Sequence, residues 1–573
     1  MDIRKHRWWS TMRASLFVAC SVVASYGSLA GTAQAQSAGE MKPLAVVALS
    51  GYDALVEDIN FAGSMAGQPQ MGAMFEPMIM GYTQGLDKTK PIGVVIQSDG
   101  AQFGGALCLP VTDLEKMLTP LQLFGMTTED AGDGLTKLVT PQQTMFIREQ
   151  AGWAFVSPMQ QMLDNLPNDP AKLLSTITDE YDLGARVNVQ NIPEAYRQMA
   201  VMQMEMGLQT GLQKKPNETE EQFAARKEMT QAQVEQLKQF INDLDELTIG
   251  LALDGSGQRA LLDVIYTAVP DTKLAEQIAM NTDAKTNFAG FFQPDAAMMM
   301  SFASKMSKAD IAQADQMFGA IRKQVQVAIE QESNLADEQS REAVQSAMDD
   351  FLDAFQATLQ AGMMDGGAVL NLAPNSLTFV AGGFIGEPAK VESGLKKLEG
   401  AVKEEENFPG IQWDAENHGD FSFHTMSVPI PPQEPEQRKL FGETVDLAVG
   451  IGKQSVYFAV GRDCLDAVKG VIDASQAEPQ KSIPPMEMAI SLKELMETAV
   501  EFADPDDKSK LEEIAGMLSS EATGRDHVRI VAQTVPNGVR TRIEAEEGVL
   551  RAIGMAAMQA QMEAAGAGQG QGF

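Results

Sequence analysis

Residues 247–280 read LTIGLALDGSGQRALLDVIYTAVPDTKLAEQIAM, and residues 527–560 read HVRIVAQTVPNGVRTRIEAEEGVLRAIGMAAMQA. Each stretch opens with a run alternating at a period of two, which sends successive side chains to opposite faces of a strand. Leu247, Ile249, Leu251 and Leu253 carry that rhythm in the first, and Val528, Ile530 and Ala532 in the second. Gly255-Ser256-Gly257 and Pro536-Asn537-Gly538 then supply the chemistry of tight turns, so a second alternating run must return beside the first as a hairpin. A segment with an apolar helical face follows, carried by Leu274 and Ile278 or by Val549 and Ile553. Strand, turn, strand and helix repeated in this way predict an α+β fold: antiparallel sheets of hairpins with helices packed on one face.

Working outward from these two stretches, the same kinds of segment recur in the same order. Residues 43–59 pair in pattern with 287–304, 91–121 with 367–402, 144–166 with 447–473, and 184–206 with 486–503, with the hairpins 247–280 and 527–560 completing the series. Residue identity between partners is low, so the likeness is one of rhythm. The order predicts a tandem duplication of a strand-turn-strand-helix assembly, with one half over 36–283 and the other over 284–560. A chain of 573 residues also exceeds what a single core commonly serves. Two inserts, 194–245 and 305–361, read as helical hairpins that break near Lys214 to Asn217 and near Asn334 to Asp337, and their apolar stripes are expected to bury against the sheet. The proline-rich stretch Pro429 to Arg438 reads as a linker or extended loop. The Gly/Gln-rich end, 561–573, reads as a disordered tail.

The opening differs in character from all of this. Arg4, Lys5, Arg7 and Arg13 precede a small apolar run from Ala14 to Ala30, and Ala33-Gln34-Ala35 forms a small-x-small cleavage site. Residues 1–35 therefore read as a signal peptide, with a retained anchor or a lipid-modified Cys20 as the alternatives. The expected destination is outside the cytoplasm, in the periplasm or the extracellular space. No later segment reaches spanning length, so no integral membrane segment is expected after signal cleavage. The formal charge is −34, deepened further when the basic leader leaves, and the Lys and Arg form no stripe. A phosphate backbone would be repelled, which argues against a nucleic-acid partner. Cys108 and Cys464 lie in apolar surroundings and read as buried thiols, a disulfide between them being permitted but not required by the compartment. Methionine is abundant at 35 residues, at helical spacing in Met199, Met202 and Met206 and in a run at Met298 to Met300, and reads as adaptable core.

With this layout in place, the opening KPLAVVALSGYDALVEDI and the segment GLDKTKPIGVV at Gly85 to Val95 resemble the uncharacterised large exported proteins of planctomycete bacteria. The resemblance covers most of the chain after the leader. It implies export and a duplicated α+β fold, and it carries no site residue across.

Chemistry is sparse. After the leader only His418, His424 and His527 remain, and GxSxG, HExxH, CxxC and a strand-following GxGxxG are all missing from the sequence. The grouping with ligand chemistry is Asp414, Glu416, His418, Asp420 and His424. On an unbroken strand the first four would share a face and offer oxygen and imidazole donors to a divalent metal. The turn chemistry of Asn417-His418-Gly419-Asp420 interrupts that face, and a solvated loop is the alternative reading. The acidic runs Glu129 to Asp133 and Asp504 to Asp507 lack the spacing of a calcium loop. No residue is singled out as catalytic and no cofactor is called for. The sequence thus points to an exported, non-catalytic binding or scaffold protein of the cell envelope, whose partner is an apolar small molecule held between helices and sheet, or an envelope protein. The alternative is an envelope hydrolase using the His418 and His424 cluster.

Overall fold

A computed structural model describes residues 41–569 of the protein, apart from 101–102, 142, 165, 168, 215–217, 332–337, 404–407 and 523. The expected signal peptide lies outside the described residues. The fold is α+β, and the strands pair antiparallel.

The first series of strands is β1 (Lys42–Leu49), β2 (Ile92–Ser98), β3 (Phe103–Pro110), β4 (Thr127–Gly132), β5 (Leu135–Val139), β6 (Thr144–Gln150), β7 (Trp153–Ser157), β8 (Leu183–Asn188), β9 (Leu244–Asp254) and β10 (Arg259–Ala268). Its helices are α1 (Tyr52–Met65), α2 (Met71–Ile79), α3 (Leu114–Leu118), α4 (Pro170–Thr178), α5 (Glu194–Gly211), α6 (Glu220–Asp243) and α7 (Lys273–Met280). The strands neighbour one another in the order β4-β5-β6-β7-β3-β2-β1-β8-β9-β10.

The second series is β11 (Met298–Lys305), β12 (Met363–Ala373), β13 (Ser376–Phe384), β14 (Gln412–His418), β15 (Phe421–Pro429), β16 (Thr444–Ile451), β17 (Ser455–Gly461), β18 (Met486–Ser491), β19 (His527–Val535) and β20 (Gly538–Glu546). Its helices are α8 (Lys308–Gln331), α9 (Glu338–Gln360), α10 (Pro388–Val402), α11 (Pro435–Phe441), α12 (Cys464–Ala477), α13 (Leu492–Phe502), α14 (Pro505–Ser520) and α15 (Glu547–Gln569). Its neighbour order is β14-β15-β16-β17-β13-β12-β11-β18-β19-β20. Each strand of the second order is ten places on in the chain series from its counterpart in the first.

Contacts divide the chain into two compact units. The first takes the described residues up to Ala200, Leu244–Tyr266, and the chain from Ile553 on; the second takes Val201–Asp243 and Thr267–Ala552. These bounds differ from a division at 283/284 for a packing reason. Helix α6 lies against α8 and so belongs to the second unit. The later part of α15 packs in the first, where Gly554 sits close to Met65 and Ala66 at the end of α1.

The core of the first unit gathers Val46, Val95, Trp153, Phe155, Leu174 and Ile177, with α4 lying on β1 and β8. In the second, Val369, Val380, Phe423, Ala448 and Ala459 meet α12 through Val468, Val471 and Ile472. The spacing of those three on α12 makes one continuous apolar stripe, which is why that helix beds on β13, β16 and β17.

Three expectations are corrected. The Pro429–Arg438 stretch is not all loop: Pro429 ends β15, and α11 starts at Pro435, since proline is tolerated in the first turn, where its missing N–H has no helical partner. The Gly/Gln-rich end is helical as far as Gln569, because Ala564, Ala565 and Ala567 are strong helix formers that continue α15 through the glycines between them. The helical inserts also do not bury their stripes mainly on sheet. Helix α9 packs on α8 and α10, with the Phe351 ring filling the place a side chain at Gly394 would take. At about 100° per residue, Met199, Met202 and Met206 of α5 do fall on one side of the helix. That side is open to solvent, however: Met202 and Met206 are 56% and 53% exposed, and Met199 and Met204 are exposed as well.

Candidate functional site

A half-enclosed cavity of about 200 Å³ lies in the second unit between α12 and the sheet. The sheet supplies its floor through Met363 and Asp365 of β12, Phe384 of β13, Phe421 of β15 and Tyr457 of β17. The helix closes it with Ile472 and Ser475, and Asn287 and Phe288 form a further wall. Gln454 and Gln476, both exposed, also line it. Four rings line the space beside its polar residues, and they cluster: the centroids of Phe421 and Phe288 lie 5.4 and 5.7 Å from that of Tyr457. Phe291 stacks on Tyr457 at 6.1 Å from within the core.

The helix can approach this closely because of two small residues. Ser475 falls on the buried stripe of α12, where its hydroxyl donates to Val471 O at 2.7 Å and accepts the Gly290 N–H at 3.0 Å. A Cβ on Gly290 would stand 2.0 Å from Val471 O, so only glycine allows the Ala289–Phe291 turn to touch the helix there.

Asp365 is the charged group of this cavity and is 4% exposed. Its carboxylate accepts from Thr286 Oγ1 at 2.5 Å and from the Asn287 N–H at 2.9 Å. Thr286 Oγ1 in turn accepts the Phe288 N–H at 2.8 Å, so the polar chain fixes the wall that carries Phe288. Burial pushes the Asp365 carboxyl above its ordinary range, while the hydrogen bonds from Thr286 and Asn287 oppose that rise. Burial likewise pushes the Tyr457 phenol up to about 12, which keeps it protonated.

The residues singled out in the sequence behave differently. Asp414, Glu416, His418, Asp420 and His424 all sit in the β14–β15 hairpin, but they do not converge. His418 Nε2 lies 2.6 Å from Asp473, Glu416 is paired with Lys469 at 2.6 Å, and Asp420 with Lys453 at 2.9 Å. The pairing register shifts between Gln412 and Glu416, and Asp414 takes a left-handed φ of 49°, so the shared face needed for a ligand set is lost at a bulge. Asp414 and His424 alone come near each other, at 4.0 Å. His424 is 3% exposed, accepts the Asp414 N–H on Nδ1 at 3.0 Å, and is pushed towards its neutral form by burial. Its ring packs against Trp413, which makes it a core histidine. Among the described residues no group of three or more His, Cys, Asp or Glu is placed to hold a metal. Cys108 and Cys464 are both free and buried, with burial pushing their thiols up to about 12 and about 11.

A more open groove of about 680 Å³ runs along the start of α10, but its buried acid and its two lysines are already paired. Lys390 and Lys397 bind Asp350, and Lys453 binds Asp420. The smaller cavity keeps a buried carboxylate with no such match, whereas Glu387 of the groove is exposed, and for that reason the cavity is the stronger site.

Sequence reasoning passed over Asp365. Its signal was present: MMDGGAVLNLA places one acid inside an apolar strand, a position that demands either hydrogen-bond partners or a counter-ion. Comparison of the chain with protein-family models, with curated proteins and with solved structures returns no match in any of the three.

Proposed function

We propose that the protein is an exported, non-catalytic binding protein whose second unit holds a small molecule in the cavity between α12 and the sheet. The observation that carries this reading is a preformed, ring-walled space of about 200 Å³ with one convergent carboxylate. An engineered apolar cavity of about 150 Å³ admits a benzene-sized guest, so this one suits a guest with only a few more heavy atoms. Nothing in its lining has the arrangement of a nucleophile beside a base, which favours holding over turnover. Export is proposed from the basic-apolar leader and its Ala33-Gln34-Ala35 site, as in the planctomycete proteins the chain resembles. A tandem duplication is proposed for the origin of the fold, supported by the matching neighbour orders of the two strand series.

The test is native mass spectrometry of the protein isolated from cells that make it. Additional mass of a small molecule is expected on the parent chain. Placing an indole at the mouth with Gln476→Trp, at an exposed position on α12, is expected to reduce the bound fraction about tenfold or more by excluding the guest. A bare mass for the parent contradicts the reading.

A further inference from the structure

We propose that the guest of this cavity is a small organic ammonium ion, with Asp365 as its counter-ion. The inference rests on the cavity being a binding site and adds the charge of what it binds.

A buried ionised group is ordinarily paired with a charge of opposite sign, because desolvation without compensation is costly. Two other buried acids of the second unit follow this rule. Asp350 binds Lys390 and Lys397, and Glu547 binds Arg525 and Arg551. Asp365 departs from it: among the described residues no Lys, Arg or His is paired with it, and both hydrogen bonds it accepts come from neutral donors. Asp243 also accepts from neutral donors, Gln239 and the Leu274 N–H, but it does not line this cavity. Each carboxylate oxygen of Asp365 retains a lone pair for a further donor.

The walls add a second, independent reason. Phe288, Phe384, Phe421 and Tyr457 line the space, and no cationic side chain does. Aromatic rings attract an ammonium group through their negative faces, and the attraction is strongest where water is excluded. An anion would meet the carboxylate and the rings unfavourably, and a neutral guest would leave the carboxylate unmatched. The excess of acidic over basic residues across the chain adds a field that draws cations towards it. Strand β2, which holds the place of β12 in the first series, reads IGVVIQS and carries no acid, so the feature has no counterpart at that place in the first unit.

The experiment compares choline with its neutral carbon isostere, 3,3-dimethylbutan-1-ol, on the full chain by calorimetric titration. The 13C-methyl resonance of Met363, which lines the cavity, reports the place of binding. Choline is expected to shift that resonance and to bind at least about tenfold more tightly than the alcohol. Asp365→Asn, which keeps the shape and removes the charge but exchanges one acceptor oxygen for an amide donor, is expected to abolish the preference for choline over the alcohol. Equal affinities for the two probes overturn the counter-ion inference and leave the cavity reading standing, as does undiminished choline binding by Asp365→Asn. Absence of any choline shift at Met363 also overturns the inference, and the cavity reading is then decided separately by the mass of the isolated protein.

Discussion

Phe291→Ala is expected to destabilise the second unit by about 3–5 kcal/mol, the range for removing a fully enclosed aromatic ring. Phe291 is fully buried, stacks on Tyr457 and occupies the space a side chain at Gly367 would need, so the surroundings are shaped to its ring. Collapse cannot fill the void, because the neighbouring strands are fixed by their ladders on both sides. The loss has a local signature: amide exchange should quicken in β12, β17 and α12, which meet around the ring, before it quickens in the strands of the first unit. A urea midpoint that does not move, or an exchange pattern raised equally everywhere, would show that this ring is not the keystone of the cavity floor.

Asp350→Ala is expected to cost about 2–3 kcal/mol, because it removes a carboxylate that accepts several charge-assisted hydrogen bonds at once. Asp350 stands buried on α9 and accepts from Ser393 Oγ at 2.6 Å, from Lys390 Nζ at 3.2 Å and from Lys397 Nζ, all on α10. Burial raises its carboxyl pKa, but the hydrogen bonds from Lys397, Ser393 and Lys390 outweigh that effect and hold it at about 2. A carboxyl whose folded pKa lies below its unfolded value of about 3.9 contributes stability that is present above that value. The contribution is lost as pH falls from about 4 towards about 2. Denaturation in urea at a series of pH values should therefore show a smaller acid-induced drop in Asp350→Ala than in the parent. Parallel curves would mean that the α9–α10 contact draws its stability from packing alone.

How much of this was legible in the sequence follows from the reach of each signal. The hairpins at 247–268 and 527–546 were readable because alternation and turn chemistry are local; β19 and β20 pair Val535 with Gly538, so the tight turn is Pro536-Asn537, with Asn537 at a φ of 57°. The helical inserts were readable for the same reason, since Pro216 and the polar residues around Asn334 interrupt the period. The packing of those helices was not, since periodicity says that a stripe is buried but not against what; α9 found α8 and α10. The β4–β5 hairpin was hidden because Glu129 to Asp133 reads as a charge run, whereas the strand there is exposed along its length and needs no apolar alternation. For the His418 and His424 group the turn at Asn417 to Asp420 was legible as an interruption of the shared face, whereas the bulge after Gln412 that scatters it further was not. The cavity itself is assembled from residues between Asn287 and Gln476 in the chain, so no local pattern could have drawn Asp365, Phe421 and Tyr457 together.

The most direct measurement is a crystal structure of the protein isolated from cells that make it, viewed in the space between α12 and the sheet. Density is expected there for a compact molecule with its basic end against Asp365 and its body among Phe288, Phe421 and Tyr457. Density for ordered water alone, with Asp365 bonded only to Thr286 and Asn287, would contradict the binding role and the charge assigned to the guest together.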